Sequence, residues 1–334
     1  MERPVARYLI ALATSLCGLI AFVAAAAQEV EQTIRQADQL FNDRQFALAL
    51  KRYQQALSRT EASSPLHAEV INNIAAAHMA QDEVAAFGHS FALAKSLKQE
   101  KIGLVADARG NPGTNLLKNS GFEDGIVFPW GTGHYERSDG KFNFGLWWNS
   151  GNAHAFMKID MAEKFAGQRS LLIGSNSPTA PHVFTTLSQR IGGLRPNTMI
   201  RLRCTLKARD LKPGAGLLTI DAAWAKRFAL PSGTYDWRPF SITVNIGHND
   251  SIDFRIVMQD IGWLWLDDIV VEEVTSAEDA DLLQRAESLF DSGSYAQALA
   301  IAQKFESLDP GNEAVLRHYR LLTGRIDMLT GNYG

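Results

Sequence analysis

Two short runs constrain what this chain can fold into. Asn115 to Gly125 reads N-L-L-K-N-S-G-F-E-D-G, and about 140 residues later Leu264 to Val271 reads L-W-L-D-D-I-V-V. Both are short and apolar-rich with an acidic residue at the edge, the composition of a strand. They read as the first and last strands of one antiparallel sandwich, so the sequence between them has to supply the sheets. It offers short runs at 115–123, 142–149, 153–160, 170–174, 183–191, 199–209, 216–224, 237–246, 252–259 and 263–273. Turn signals separate them at Pro129, Ser138 to Gly140, Gly192-Gly193, Arg195-Pro196-Asn197, Lys212-Pro213-Gly214 and Pro231-Ser232-Gly233. Such spacing means an all-β sandwich and not βαβ units. Ile200, Leu202, Cys204, Leu206 and Ala208 alternate with Arg201, Arg203, Thr205, Lys207 and Arg209, a strand with one buried face. Cys204 is therefore a small core hydrophobe and not a reactive thiol.

The two bracketing runs resemble carbohydrate-binding modules of families four, nine and twenty-two, galactose-binding-like jelly rolls that open with G-F-E and close with an apolar-aromatic-apolar-Asp run. The resemblance covers roughly 115 to 274. It extends to Ile191 to Leu202, Trp237 to Val244 and Ser251 to Ile256, which are similar to internal strands of those modules. In these families a structural calcium ion sits where the first and last strands meet. Carried over residue by residue, the resemblance implies Glu123 and Asp267 as side-chain ligands and Gly121, Ala166 and Arg169 as carbonyl ligands. The last two lie in A-G-Q-R-S-L, similar to the family's S-G-x-x-S-L turn. Calcium suits such a set because hard cations collect six to eight oxygens from carboxylates and carbonyls. The alternative is that Glu123 and Asp267 are only a solvated edge pair.

The flanks have a helical period and resemble tetratricopeptide repeats. The first copy has Ala37, Leu40, Phe41, Phe46, Ala49, Tyr53, Ala56 and Leu57 at the family's small and large positions, with its turn at Asn42 to Gln45. A weaker second copy has Asn73, Ile74, Ala75, His78, Phe91 and Ala94, with Phe87 where a small residue is usual. The third has Ala286, Leu289, Phe290, Tyr295, Ala298, Leu299 and D-P-G-N at Asp309 to Asn312, followed by a further helix from about Glu313 to Thr330. Isolated helix pairs cannot bury their apolar faces, and stability calls for about three stacked repeats. The expectation is that the helices of 29–98 and 277–330 stack as one short solenoid, the sandwich being inserted between them at its adjoining ends. Two independent helical caps are the alternative.

Residues 1–27 are set aside as a signal peptide. Arg3 and Arg7 form a basic start, Tyr8 to Ala24 is apolar and uncharged, and Ala25-Ala26-Ala27 before Gln28 is a cleavage site. An uncleaved anchor is the alternative, because the apolar stretch approaches a spanning length. Leu16 stands before Cys17 where a lipidation signal has Gly or Ala. The protein is expected to be periplasmic or secreted, with no stable membrane span after cleavage. Losing Glu2, Arg3 and Arg7 takes the formal charge from −3 to −4. This mild acidity carries no nucleic-acid footprint. Cys204 is the one cysteine left, so an internal disulfide is excluded.

All seven tryptophans lie in the sandwich region. A sugar site needs exposed rings with polar groups beside them. Trp148 shares a face with Phe142, Phe144 and Leu146 and reads as core, as does Trp224 with Leu218, Ile220 and Ala222. Trp237 matches a tryptophan that the resembling modules use for packing. Trp147 and Trp263 are the candidate ligand rings, with Gln189, Arg203 and Gln259 as polar partners facing away from the apolar side. The face carrying Arg201, Arg203, Lys207 and Arg209 suits uronates or other anionic glycans, or is an ordinary solvated strand face.

Catalysis is not expected. There is no H-E-x-x-H pair and no nucleotide-binding glycine loop. Gly88 to Ala92 lacks the second glycine of a nucleophile elbow and lies in a helical stretch. Asp267-Asp268 and Glu272-Glu273 alternate faces along a strand, so neither pair can flank one bond. The eight histidines show no ligand spacing. The sequence thus predicts a multidomain α and β protein, a jelly-roll sandwich flanked by tetratricopeptide-type helices. Its units are 1–27 signal peptide, 28–105 helices, 106–276 sandwich and 277–334 helices. The function expected is non-enzymatic: carbohydrate binding by the sandwich and a protein partner in the groove of the helices. The alternatives are a structural spacer without sugar binding, or an accessory subunit of a polysaccharide-processing or export system.

Overall fold

The computed structural model describes residues 21, 25–81, 101–102, 114–126, 129–136, 141–144, 148–149, 155–178, 184–194, 199–220, 226–273, 277–306 and 313–331. Among these are six helices: α1 (25–42), α2 (Phe46–Leu57), α3 (Pro65–Ala80), α4 (Ala277–Asp291), α5 (Tyr295–Glu306) and α6 (Glu313–Thr330). None of the described helices is long and apolar enough to cross a membrane. Thirteen strands run between the two helical groups.

Two helical hairpins, α1–α2 and α4–α5, stand where the pattern places them, while Phe87, Phe91, Ala94 and Asp309 to Asn312 lie outside the described residues. In α2, Ala49, Tyr53 and Ala56 recur at helical spacing and are buried. The α1–α2 and α4–α5 turns are the same motif. Arg44 N–H donates to the Phe41 carbonyl at 2.9 Å and Gln45 N–H to the Leu40 carbonyl at 2.8 Å. Gly293 and Ser294 repeat this on Phe290 and Leu289 at 3.0 and 2.8 Å. This pairing closes a helix only if one residue turns left-handed, which Arg44 does at φ 60° and Gly293 at φ 78°. Phe41–Phe46 and Phe290–Tyr295 pack across the two turns at 5.1 and 5.5 Å. Helix α3 begins with Ser64 accepting from His67 N–H at 3.1 Å and Pro65 in the first turn.

The strands make two sheets. The first contains β1 (Lys101–Ile102), β3 (Lys141–Phe144), β2 (Gly131–Glu136), β7 (Thr185–Gly192), β12 (Ser251–Met258), β9 (Gly216–Thr219) and β10 (Arg227–Ala229) in that order, with β4 (Trp148–Asn149) also on β7. The second runs β11 (Gly233–Asn245), β8 (Met199–Leu211), β13 (Gly262–Glu273), β6 (Ser170–Ser175) and β5 (Ala155–Asp160). Leu187, Ile191, Ile252, Phe254, Ile256 and Leu218 of the first sheet and Leu171, Ile173, Leu202, Cys204, Leu206, Leu264 and Leu266 of the second fill the space between them. Burial pushes the Cys204 thiol up to about 12, as expected of an inert core residue.

The 115–123 run departs from the expected strand. It is a series of turns laid along β13, attached by Leu116 N–H to the Val271 carbonyl at 2.7 Å and by the Asn115 amide, which donates to Ile269 O at 2.9 Å and accepts from Val271 N–H at 3.0 Å. One side chain takes the place of a ladder. The two ends of the sandwich region nevertheless adjoin.

The expected single solenoid is corrected. Helices α1 to α3 share one core with the sandwich, whereas α4 to α6 form their own cluster around Ala286, Ala298, Ala302, Leu322 and Ile326, together with Met199 of β8. The cause is the outer face of the second sheet, which is aromatic. Phe156, Trp263 and Trp265 point away from the sandwich interior, and Phe41 of α1 packs on Phe156 at 5.2 Å and Trp263 at 5.3 Å. The apolar face that would have met further repeats is covered by β-sheet instead. Helix α3 lies along the free edge of β5, where Asn72 donates to Met157 O at 3.1 Å and Asn73 to Ile159 O at 3.2 Å. At this junction Lys158 is fully buried. Its ammonium meets Asp38 of α1 at 2.8 Å and Asp160 at 3.8 Å. Tyr53 O–H and Met161 N–H complete the shell of Asp38 at 2.6 and 2.7 Å. Asn42 and Trp265 each donate to Asp160 at 2.8 Å.

Candidate functional site

The five residues assigned to a cation come from three distant stretches and meet at one place. Phe122 is in the left-handed region at φ 59°, with its ring packed on Trp130 at 5.1 Å, and this tight turn presents Glu123. A bulge in β13, after Asp267, presents the second carboxylate. The 161–169 loop between β5 and β6 reaches both. Phe165 and Ala166 N–H donate to Asp267 Oδ2 at 2.9 Å each, while Gln168 N–H and Arg169 N–H donate to Glu123 Oε1 at 2.9 and 3.4 Å. Gly167 lies between these donors at φ 59°, and a Cβ there would stand 1.9 Å from Glu123 Oε1. On the other side, a Cβ at Gly121 would stand 3.8 Å from Asp267 Oδ1. Burial raises the Asp267 carboxyl above the usual range, three backbone N–H groups oppose the shift, and the charge of Glu123 adds to it.

Two carboxylates held this way would be relieved by a cation. Among the described residues no group of three or more His, Cys, Asp or Glu side chains could hold one. Ala166 and Arg169 meet these carboxylates through their N–H groups. The Arg169 side chain is committed elsewhere: its guanidinium donates to the Glu123 carbonyl and faces Glu69 of α3 at 3.6 Å. Burial pushes Glu69 up to about 7 against the pull of Arg169. Helix α3 thus touches the bracket.

Of the residues expected to bind sugar, the described ones, Trp263, Gln189, Arg203 and Gln259, do not come together. Trp263 is 1% exposed, under Phe41, Phe46 and the guanidinium groups of Arg44 and Arg209, and its indole N–H donates to Asn176 at 2.8 Å. It faces outward from the sandwich, as alternation requires, but helices cover that face. Gln189 is corrected in direction: it points inward beside Phe254, and its amide clasps the Lys118 backbone, accepting at 2.8 Å and donating at 3.0 Å. Arg203 is half exposed and meets Glu272 at 3.2 Å. Gln259 is exposed at the Gly214 turn, donating to its carbonyl at 2.9 Å. Trp147 and Trp224 lie outside the described residues. On the basic face, Arg201 and Arg203 share Glu272, Lys207 pairs with Glu163 and Asp236, and Arg209 lies over Trp265 and donates to Asn42 O.

An aromatic pair that sequence reasoning missed stands beside the bracket. Phe165, 54% exposed, meets the half-buried Trp237 of β11 at 6.1 Å. The register of β11 on β8 slips between Tyr235, opposite Ala208, and Arg238, opposite Leu206, so Asp236 and Trp237 together face Lys207. Lys207 reaches Glu163 at 2.9 Å and Asp236 at 3.3 Å. Partial burial works against its charge, but these two carboxylates hold the ammonium above the usual lysine range. A phenylalanine inside a glycine-containing turn, with no apolar neighbour at strand spacing, was the available signal.

No family model matches the chain, and no curated protein does. Solved structures do resemble it. TmCBM61 in complex with β-1,4-galactotriose is 17% identical, covering 48% of this chain and 99% of that chain with a TM-score of 0.34. The enzymatically active domain of a bacteriophage CBA120 tailspike protein is 10% identical, covering 48% and 21% with a TM-score of 0.34. The CBM22-1 xylan-binding domain of Paenibacillus barcinonensis Xyn10C is 12% identical, covering 50% and 99% with a TM-score of 0.33. Each likeness takes in about half of this chain.

Proposed function

We propose that the protein is an exported, non-enzymatic binding protein whose sandwich takes a poly- or oligosaccharide and whose terminal helices, of tetratricopeptide type, engage a protein partner. The observation that carries this reading is the meeting of Gly121, Glu123, Ala166, Arg169 and Asp267 at one junction, which is where the resemblance to carbohydrate-binding modules assigns a structural calcium ion. Calcium there would tie the ends of the sandwich together without doing chemistry. The partner surface is supported by α6, which packs through Leu322 and Ile326 and leaves Leu321, Met328 and Leu329 more than half exposed.

A glycan array probed with residues 28–334, with and without calcium, tests the reading. Retention of a defined set of glycans is expected. The metal is tested separately by melting: chelator should lower Tm and calcium restore it, and a Tm indifferent to both removes calcium from the account. A second reading, a structural spacer without sugar binding, is favoured by the burial of Trp263 under α1. An array on which the folded protein retains nothing would select it.

A further inference from the structure

We propose that Phe165 and Trp237 form a platform for a neutral glycan, with Glu163, Asp236 and Lys207 as its polar rim. This rests on the carbohydrate-binding reading above and gives it a site other than the one the tryptophan pattern suggested. Three observations lead to it. The first is exposure. Trp130, Trp263 and Trp265 are 1% exposed or less, whereas Phe165 is 54% exposed and Trp237 is only half-buried. An exposed aromatic face held next to charged groups is what the C–H face and hydroxyl edge of a pyranose require.

The second is preorganisation. The Phe165 backbone is fixed by its N–H on the Asp267 carboxylate at 2.9 Å, and the β11 bulge places Trp237 and Asp236 over one lysine. Rings fixed before the ligand arrives lose little freedom on binding. The third is charge. Lys207 is already held by Glu163 and Asp236, and the Lys164 ammonium turns back to the Met161 carbonyl at 3.2 Å. The rim therefore offers a uronate no uncommitted cation, while the 84% exposed Asp236 side chain keeps acceptor capacity for hydroxyl donors.

Titration calorimetry of the full chain with cellohexaose, xylohexaose, mannohexaose and a hexagalacturonate, at low and high salt, tests this. The expected result is binding of at least one neutral hexasaccharide that changes little with salt. Phe165→Ala should then weaken it about tenfold or more, equivalent to about 1.4 kcal/mol, with Tm held, and Phe165→Tyr should retain it. Trp237→Ala should weaken it in parallel wherever that variant still melts cooperatively. Undiminished binding by Phe165→Ala overturns the platform and leaves the carbohydrate reading standing. Binding of the hexagalacturonate alone overturns the neutral class. No binding of any probe, on the array or in solution, ends both readings.

Discussion

At the scale of single residues the molecule depends on positions where no close relative of the native side chain will serve. Lys158 is one. Its ammonium is fully buried between Asp38 and Asp160, so replacing it leaves two carboxylates without their cation. Lys158→Met should cost about 3–5 kcal/mol in denaturant unfolding, and adding Asp38→Asn should recover part of that loss. A Lys158→Met protein as stable as the parent would show that the ion pair contributes nothing. Gly167 is the other. An alanine there meets the Glu123 carboxylate and has to hold a left-handed φ as well, so the bracket cannot keep its geometry. Gly167→Ala should lower Tm and abolish any rise with calcium. Gly293→Ala meets no atom within 4 Å and should cost only about 1 kcal/mol through its positive φ. Equal losses at the two glycines would count against a packed bracket.

At the scale of elements, α1 is attached to the second sheet through the buried carboxyl group of Asp38. Burial raises Asp38 from 3.8 to about 6, Lys158 opposes that shift, and the charge of Asp160 adds to it. A group that takes up its proton more readily when folded supports the fold fully below its unfolded value. That support disappears as pH rises through its folded value. Stability contributed here should therefore fall between about pH 4 and 6, by an amount on the order of 3 kcal/mol. The slope of Tm with pH over that range should be more negative in the parent than in Asp38→Asn/Lys158→Met, and equal slopes would sink the assignment. Much of this level was legible in sequence. Alternation correctly set Leu202, Cys204 and Leu206 inward, and the turn at Asn42 to Gln45 appears where the repeat pattern put it. Gln189 was misread as facing away from the apolar side, although it shares the parity of Leu187 and Ile191. A polar side chain survives there because both ends of its amide find the Lys118 backbone. Trp263 could not be read, because alternation says which way a ring points and nothing about what lies over it. The same holds for Trp237, whose placement depends on a one-residue slip in pairing that leaves no mark in composition.

At the scale of the whole molecule, the N-terminal helices share the sandwich's core, whereas the C-terminal ones form a cluster of their own that takes in only Met199 of β8. Motif boundaries suggested four consecutive units, but among the described residues one apolar cluster takes in members from Val30 to Val271. A fragment of residues 106–276, freed of both helical groups, should expose Trp263 and the polar groups around Lys158 to water. It is expected to be oligomeric or insoluble in sedimentation, whereas removal of 277–334 alone should leave a soluble monomer; a monodisperse 106–276 would refute this. The amides of Asn72 and Asn73 on β5 explain why the effect should exceed lost burial. They occupy the carbonyls that a neighbouring copy's strand would otherwise pair with, so they act as a guard against fibre-like growth as well as a weld. A sandwich guarded by its own upstream helix cannot be shuffled between proteins as a free-standing module. Any recombination that carried it elsewhere would have to carry α3 as well.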